Sequence, residues 1–382
     1  MIPEEVFAET LLQFLAPIRA FLDDPTVSEV MINGPRQIFI ERKGRLELTE
    51  ARFQSDEDLA AALLNMAQYV GKHIDAHHPI LEGRLPDGSR VEAILPPASP
   101  DGPHVAIRRF SRDALTMNKL LAFDALTPDA AELLRAMVHS KLNVIVAGGT
   151  GSGKTSLLNA LSSFIPAYER VVVIEDSREL KLQQAHVVAL EARPPDPRGR
   201  GKVSVRDLFR ATLRMRPDRI VVGEIRGGEA LDLIQAMTSG HGGCLSTLHA
   251  THPRDTLSRL ETMAMMSDVQ MPLLALRIQL ASAVDVIVQV SRMPNGSRKV
   301  THVSEVHEFS HTEHAYVVQD LFVRKYDRDP KADGALGDRL VMTGSLPRSL
   351  PRLREHGFDL PAAMHEAHLS KGKQHDSSVQ SY

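Results

Sequence analysis

Residues 143–155 read NVIVAGGTGSGKT, an apolar β-branched run, Val144 to Val146, that breaks into glycines and ends in Lys154 and Thr155. Gly148, Gly153, Lys154 and Thr155 fill the P-loop pattern of a glycine, four residues, then Gly-Lys-Ser/Thr. The run before it reads as a buried strand, and SLLNALSSF (156–164) after it as a helix whose first amides and positive dipole end face a bound anion. Glycine is required because a Cβ would keep the backbone from a phosphate. The stretch Gly148, Gly149, Thr150, Gly151, Ser152, Gly153, Lys154, Thr155 and Ser156 is therefore expected to bind nucleotide, with Lys154 on the β and γ phosphates and the Thr155 hydroxyl on magnesium. A surface glycine turn beside a lysine would need neither flank.

From Ala130 to about Glu308, helical stretches alternate with β-branched runs (VIV, VVVI, RIVVG), the pattern of a parallel sheet covered by helices. Ligands of such sheets sit beyond the carboxyl ends of the strands. VVVI (171–174) ends in Glu175 and Asp176, RIVVG (219–223) in Glu224, and GCLSTL (243–248) in His249. All would emerge on the edge that holds the P-loop. Glu224 stands where a Walker-B-type acid holds magnesium. Glu175 can take a proton from the attacking water, and Asp176 can join the metal or cap the next turn. Spacing allows either Glu175 or Glu224 to be the base. His241, in the glycine-rich SGHGG, and His249 place a hinge and a γ-phosphate sensor on one connection, although a histidine in a strand is more often structural.

The helix VRDLFRATLRMRPDR (205–219) sets Val205, Leu208, Phe209, Thr212 and Leu213 on one side and Arg206, Arg210 and Arg214 on another. Such a basic face is ordinarily solvated. In a phosphate-binding domain, Arg206 and Arg210 could instead meet the transferring phosphoryl group at a subunit boundary.

At 382 residues, the chain favours two or three domains. Residues 1–112 read as a small α/β domain: VSEVMING (27–34) as a strand into a turn, IFIER (38–42) as its partner, SDEDLAAALLNMAQYVGKHI (55–74) as a capped helix, then strands in LPDGSRVEAILPP and VAIRRF. A linker is expected at 113–128, where Thr127 and Pro128 can start a helix. The larger domain follows at 129–310, then a C-terminal appendage at 311–368 and a frayed tail at 369–382.

The 45 Lys plus Arg against 48 Asp plus Glu, with no Trp, argue against a protein that works by neutralising a polyphosphate backbone. One cysteine, Cys244, excludes a disulfide framework and a four-cysteine zinc knuckle and suits a reducing compartment. Glu4, Glu5 and Glu9 stand where a signal peptide would carry basic residues, so the start is expected to remain in the mature protein. Arg277, Gln279, Asp285 and Gln289 interrupt the longest apolar region, so no transmembrane segment is expected.

GGTGSGKTSLLNALSSFIP, VVVIEDSREL, LRMRPDRIVVGEIRGGEALDLIQAM and SGHGGCLSTLHA together resemble the secretion ATPases shared by type II secretion, type IV pili and type IV secretion. With VSEVMINGP, RLPDGSRVEAILPP, VAIRRFSRD, ASAVDVIVQVSR and TGSLPRSLPRLREHGFDLP, the likeness extends to about residue 360 and points to the CpaF/TadA-like branch that powers Tad pili. The resemblance implies a RecA-like P-loop ATPase domain behind a smaller α/β N-terminal domain, a homohexamer, and a nucleotide closed between the domains. It makes Lys154 and Thr155 Walker A, Glu175 the acidic-box base, Glu224 the Walker B acid, and His241 and His249 the His box. N-terminal arginines, here Arg90, Arg108 and Arg109, would reach the phosphates. It implies ATP and Mg2+, a cytoplasmic protein peripherally bound at the inner membrane, platform proteins of a pilus or secretion system as partners, and no nucleic acid. The branch's long N-terminal extension and the tetracysteine module of some pilus members have no counterpart here. The competing reading is a RecA-like nucleic-acid translocase of a conjugation or type IV secretion apparatus.

Overall fold

The computed structural model describes residues 4–42, 44–109, 115–195, 199–330 and 336–379. The chain divides into two compact units at Asp113/Ala114.

The first unit begins with α1 (Glu4–Phe14) and α2 (Ala16–Asp23), continues through β1 (Val27–Asn33), β2 (Gln37–Arg42) and β3 (Arg45–Leu48), and then α3 (Asp56–Tyr69). Three further strands follow: β4 (Ile80–Arg84), β5 (Arg90–Ile94) and β6 (His104–Arg108). Among the described residues they form one antiparallel sheet in the order β3-β2-β1-β6-β5-β4. Alternate residues such as Val30, Ile32, Ile38 and Ile40 point inward against Leu11, Ile18, Leu59 and Met66 of the helices. One sheet face is thereby covered, as period-two patterning demands. The α3 start follows from Ser55, whose hydroxyl accepts from the Asp58 amide at 3.2 Å.

The second unit opens with α4 (Met117–Ala122) and α5 (Pro128–His139), then β7 (Val144–Gly148), α6 (Lys154–Ser162), β8 (Val171–Glu175) and β9 (Val187–Glu191). Next come α7 (Val205–Thr212), β10 (Arg219–Val222), α8 (Glu229–Thr238), β11 (Leu245–Leu248), α9 (Pro253–Met265) and α10 (Leu273–Ala283). The chain finishes with β12 (Val286–Arg292), β13 (Arg298–Ser310), β14 (Ala315–Pro330), β15 (Leu336–Met342), α11 (Leu350–Glu355) and α12 (Ala362–Val379). Among the described residues these strands form one sheet, β15-β14-β13-β12-β7-β11-β10-β8-β9. From β12 to β9 the pairing is parallel; β13, β14 and β15 add antiparallel strands.

Both faces of the parallel part are buried. Val144, Val146, Val171, Val173, Val286 and Val288 face α4, α5, α6 and the α11–α12 region. Ile145, Ala147, Val172, Ile174, Ile220 and Val222 face α7, α8, α9 and α10. This explains why the strands read as unbroken apolar runs. The result is the mixed α/β architecture expected.

The 113–128 stretch contains a helix: α4 is capped by Thr116 and buries Met117 and Leu120 in the larger core. Six residues are too few to show a period. Residues 311–368 continue the same sheet through β14 and β15, and Leu353, Leu360 and Met364 join the same core. Helix α12 runs on to Val379, into the stretch read as a tail. Among the described residues, no helix is long and apolar enough to cross a membrane.

Candidate nucleotide site

Strand β7 lies between β11 and β12, so its carboxyl end faces the ends of both. Gly148 is the last residue of β7, and α6 starts at Lys154 behind Gly153 in the left-handed region, φ +94°. Gly151 is also left-handed, φ +66°. Both conformations favour glycine over any L side chain. The loop is held from within: Ser152 Oγ donates to the Gly149 carbonyl at 2.8 Å, and Lys154 Nζ donates to the same oxygen at 3.0 Å. Lys154 is buried.

The neighbouring strand ends bring in a connected set of charges. Lys154 Nζ lies 3.3 Å from both ring nitrogens of His249. His249 Nε2 lies 2.9 Å from Glu224 Oε1. A neutral imidazole with its proton on Nε2 donates to Glu224 and leaves Nδ1 to accept from Lys154. Burial first, and the Lys154 charge next, hold His249 below its ordinary pKa, against the pull of Glu224. Glu224 also pairs with Arg226 Nε, and Arg226 Nη1 reaches Asp176 at 3.1 Å. The sequence reading named the carboxylates and missed Arg226, which bridges them.

Glu175 is different in kind. It is buried, its Oε1 accepts from the Glu179 and Leu180 amides at 2.8 and 2.9 Å, and burial pushes its pKa up to about 7 despite those bonds. Gly223 sits against it, since a Cβ there would come within 2.8 Å of Glu175 Cγ. A carboxyl titrating near neutral pH can accept a proton, and Glu175 is linked to the phosphate loop through Glu179, whose amide it accepts and whose carboxylate meets Thr155. Thr155 Oγ1 donates to Glu179 at 3.4 Å, so a second unforeseen acid borders the loop. A cleft of about 490 Å3 opens beside Gly149, Thr150 and His249, lined further by Thr251, Asp255 and Arg259.

Other expected residues have partners of their own. His241 is not brought to the P-loop within the chain: it precedes β11, whereas His249 follows it, and β11 runs parallel to β7. Four strand residues separate the two histidines by roughly 13 Å. Shared membership of one connection did not translate into proximity. Arg206 bonds Asp232 at 2.7 Å and Asp268, and Arg210 bonds Asp232 at 3.1 Å, so these side chains tie α7 to the first turn of α8 and the end of α9. In the first unit, Arg109 donates to the carbonyls of Asp24 and, at 2.9 Å, Val27, a bond internal to that unit. Arg108 and Arg90 face each other across β6 and β5, with Glu29 on the other side of Arg108. Cys244 is fully buried, its thiol pushed up to about 12 by burial.

Among the described residues, no group of three or more His, Cys, Asp or Glu is arranged to hold a metal on its own. Magnesium at a P-loop needs no such cage, since it takes one or two protein oxygens together with substrate phosphates and water. The Thr155 hydroxyl, the first-turn oxygen of α6 with Glu179 at 3.4 Å, fits that role.

A glycine cradle at a helix start, a lysine inside it and acids at two adjoining strand ends define a P-loop ATPase. The chain belongs to the type II/IV secretion system protein family, whose model matches residues 12–319, and it is an ATP hydrolase. It is 36% identical over 304 residues to the type IV secretion system protein PtlH of Bordetella pertussis, covering 73% of this chain and 89% of that one. With the conjugal transfer protein TrbB of Rhizobium radiobacter it shares 33% identity over 311 residues, 79% and 92% of the two chains. The X-ray structure of the Legionella pneumophila ATPase DotB superposes with a TM-score of 0.52 at 22% identity, covering 77% of this chain and 79% of that one, a likeness of fold.

Proposed function

We propose that the chain is a Mg2+-dependent motor ATPase that works as a homohexamer, driving assembly or retraction of a Tad-like or type IV-like pilus, or a related secretion system, at the inner membrane. The observation that carries this reading is the continuous chain of contacts from Lys154 through His249, Glu224 and Arg226 to Asp176, assembled from three strand ends beside one P-loop. Lys154 and the loop amides hold the phosphates. Glu175 accepts the proton of the water that attacks the γ phosphorus in line, while the bond to the bridging oxygen breaks and ADP leaves. Thr155, Glu224 and Asp176 would hold Mg2+, which would supply charge neutralisation of the nucleotide phosphates. His249 senses the terminal phosphate, since it touches both Lys154 and Glu224.

Catalysis here is mainly positioning and electrostatics. Platform proteins at the membrane would receive the motion. A second reading, the motor of a type IV secretion or conjugation apparatus, is favoured by the likeness to PtlH and TrbB over about nine tenths of their lengths. Steady-state ATP hydrolysis, with native mass spectrometry for the ring, tests the shared core of both readings. A folded Lys154→Ala protein that turns over normally sinks it. Stimulation of turnover by DNA would favour a translocase over a pilus motor.

A further inference from the structure

The cleft of about 490 Å3 beside the P-loop is lined on one side by Gly149, Thr150 and His249 and on another by α9. Helix α9 buries Leu257, Leu260, Met263 and Ala264 in the core. Asp255, Ser258, Arg259 and Thr262, spaced three and four apart, share the opposite, polar face, and that face lines the cleft. The wall is fixed at its root. Gln289, buried in β12, donates from Nε2 to the Ala250 carbonyl at 2.9 Å and so holds the turn between His249 and α9. A Cβ on Gly149 would meet no atom of the described residues within 4 Å, so the loop backbone is open to the cleft at that point.

Lys154 Nζ, the P-loop group that meets the β and γ phosphates, donates to the Gly149 carbonyl at 3.0 Å and lies 3.3 Å from the His249 ring. Its ammonium therefore stands between two residues that line the cleft, and a terminal phosphate placed on Lys154 borders that space. Among the described residues lining the cleft, Arg259 alone carries a permanent positive charge. That charge is near enough to His249 to add to the burial and the Lys154 and Arg226 charges that hold the ring below its ordinary pKa. Guanidinium is the cation whose fork matches phosphate oxygens, and the Ser258 and Thr262 hydroxyls on the same face are further donors.

We propose that Arg259 is a second cation for the terminal phosphate, contacting the γ phosphate of bound ATP and, after cleavage, the inorganic phosphate that moves into the cleft beside α9. This rests on the P-loop reading above and adds a phosphate contact that comes from neither the loop nor the strand ends. Asp255, one turn before Arg259 and engaged by the Thr251 hydroxyl at 2.7 Å, offsets the arginine charge. A wall of low net charge suits a site that has to release its product.

The experiment titrates the full chain, as wild type, Arg259→Ala, Arg259→Lys and Lys154→Ala, with ADP and with an ATP analogue whose β–γ bridge is nitrogen. Inhibition of steady-state hydrolysis by orthophosphate is measured alongside. Arg259→Ala should bind the analogue about tenfold more weakly, the weight of one charge-assisted hydrogen bond, and should bind ADP as wild type does. Its inhibition constant for orthophosphate should rise by a similar factor, and Arg259→Lys should recover part of both. Arg259 is exposed, so its removal leaves the core intact, and a purely structural role would weaken ADP and the analogue alike. The proposal is overturned if Arg259→Ala keeps wild-type affinity for the analogue and for orthophosphate, or loses ADP as strongly as the analogue, while Lys154→Ala loses both nucleotides. If Lys154→Ala binds both nucleotides as wild type does, it is the P-loop reading that has failed.

Discussion

The two edges of the nine-stranded sheet use the same residue types to opposite ends. At the carboxyl edge, Glu224, Asp176, Arg226, His249 and Lys154 satisfy one another through side chains, and several are substantially exposed. At the amino edge, charge is locked to backbone. Arg219, fully buried, pairs with Glu169 and donates to the Val138 carbonyl at 2.7 Å and the His139 carbonyl at 3.2 Å. Asn143 Oδ1 accepts from the Gly243 and Cys244 amides at 2.8 and 3.0 Å. Asp285 accepts the Asn143 amide at 2.7 Å, and Glu305 the Ser349 amide at 2.9 Å. Side-chain partners can be exchanged for a ligand at little cost, whereas backbone partners cannot. Fixed charge builds the sheet, and exchangeable charge does the chemistry.

The sharpest way to break that contrast is a pair of substitutions. Lys154→Ala should lower kcat by at least about 10²-fold and leave the unfolding temperature near wild type. Arg219→Ala takes the buried guanidinium from Glu169, leaves it Lys141 at 3.4 Å, and should cost about 3 kcal/mol of stability, while the protein that remains folded turns over normally. Denaturant titration and kinetics normalised to folded protein measure both. If Arg219→Ala cuts turnover per folded molecule as Lys154→Ala does, the two edges are not separable.

Glu175 sharpens the comparison because it lies on the carboxyl edge yet is held by backbone. Glu175→Gln should bind ATP and fail to hydrolyse it, losing about 10²–10⁴-fold in rate. Wild-type turnover should rise with pH through about 7 as the buried carboxyl ionises. Stability runs the other way. The folded pKa is raised, so the native state holds its proton more tightly than the unfolded chain between about pH 4.5 and 7, and stability falls as pH rises through that window. The full loss is about 3 kcal/mol for a shift of this size. Glu175→Gln lacks this loss, so its stability advantage should be absent near pH 4 and complete above pH 7. An advantage independent of pH would remove Glu175 as the titrating group.

What could be read from sequence divides along the same line. The P-loop and the acids after VVVI and RIVVG are each carried by one strand and its next residue, so a local pattern suffices. Arg226 sits in a turn, and its bridge to Asp176 joins positions 50 residues apart. Arg298 meets Gly151 across 147 residues, which requires knowing that β12 lies beside β7. His241 and His249 show the converse: their nearness in sequence spans the full length of β11. Arg206 and Arg210 lie one turn apart on α7, a local pattern, but their acidic partners Asp232 and Asp268 come from other elements. Unit by unit, then, pattern revealed the elements, and long-range order decided which side chains meet.

The smallest expected effect comes from Asp285, which lines the polar cleft at the amino edge with Glu305, Arg348 and Arg352. Burial raises its pKa, with Arg352 and Arg348 pulling down and Glu305 pushing up. In the fold its carboxylate accepts the Asn143 amide, and an asparagine side chain offers an oxygen of the same reach. Asp285→Asn should therefore change stability by about 1 kcal/mol or less near neutral pH, because the lost charge-assisted bond is offset by the charge no longer buried. The two proteins should also differ in slope. Wild type loses stability as pH climbs from the ordinary aspartate range through the raised folded pKa, and the variant does not, so the variant gains relative to wild type with rising pH. Turnover should stay at the wild-type rate throughout. A fall in kcat with stability intact would mean that the amino edge communicates with the phosphate loop through β12, whose first residue follows Asp285 and whose last is Arg292, and the separation between fixed and exchangeable charge would have to be given up at that strand.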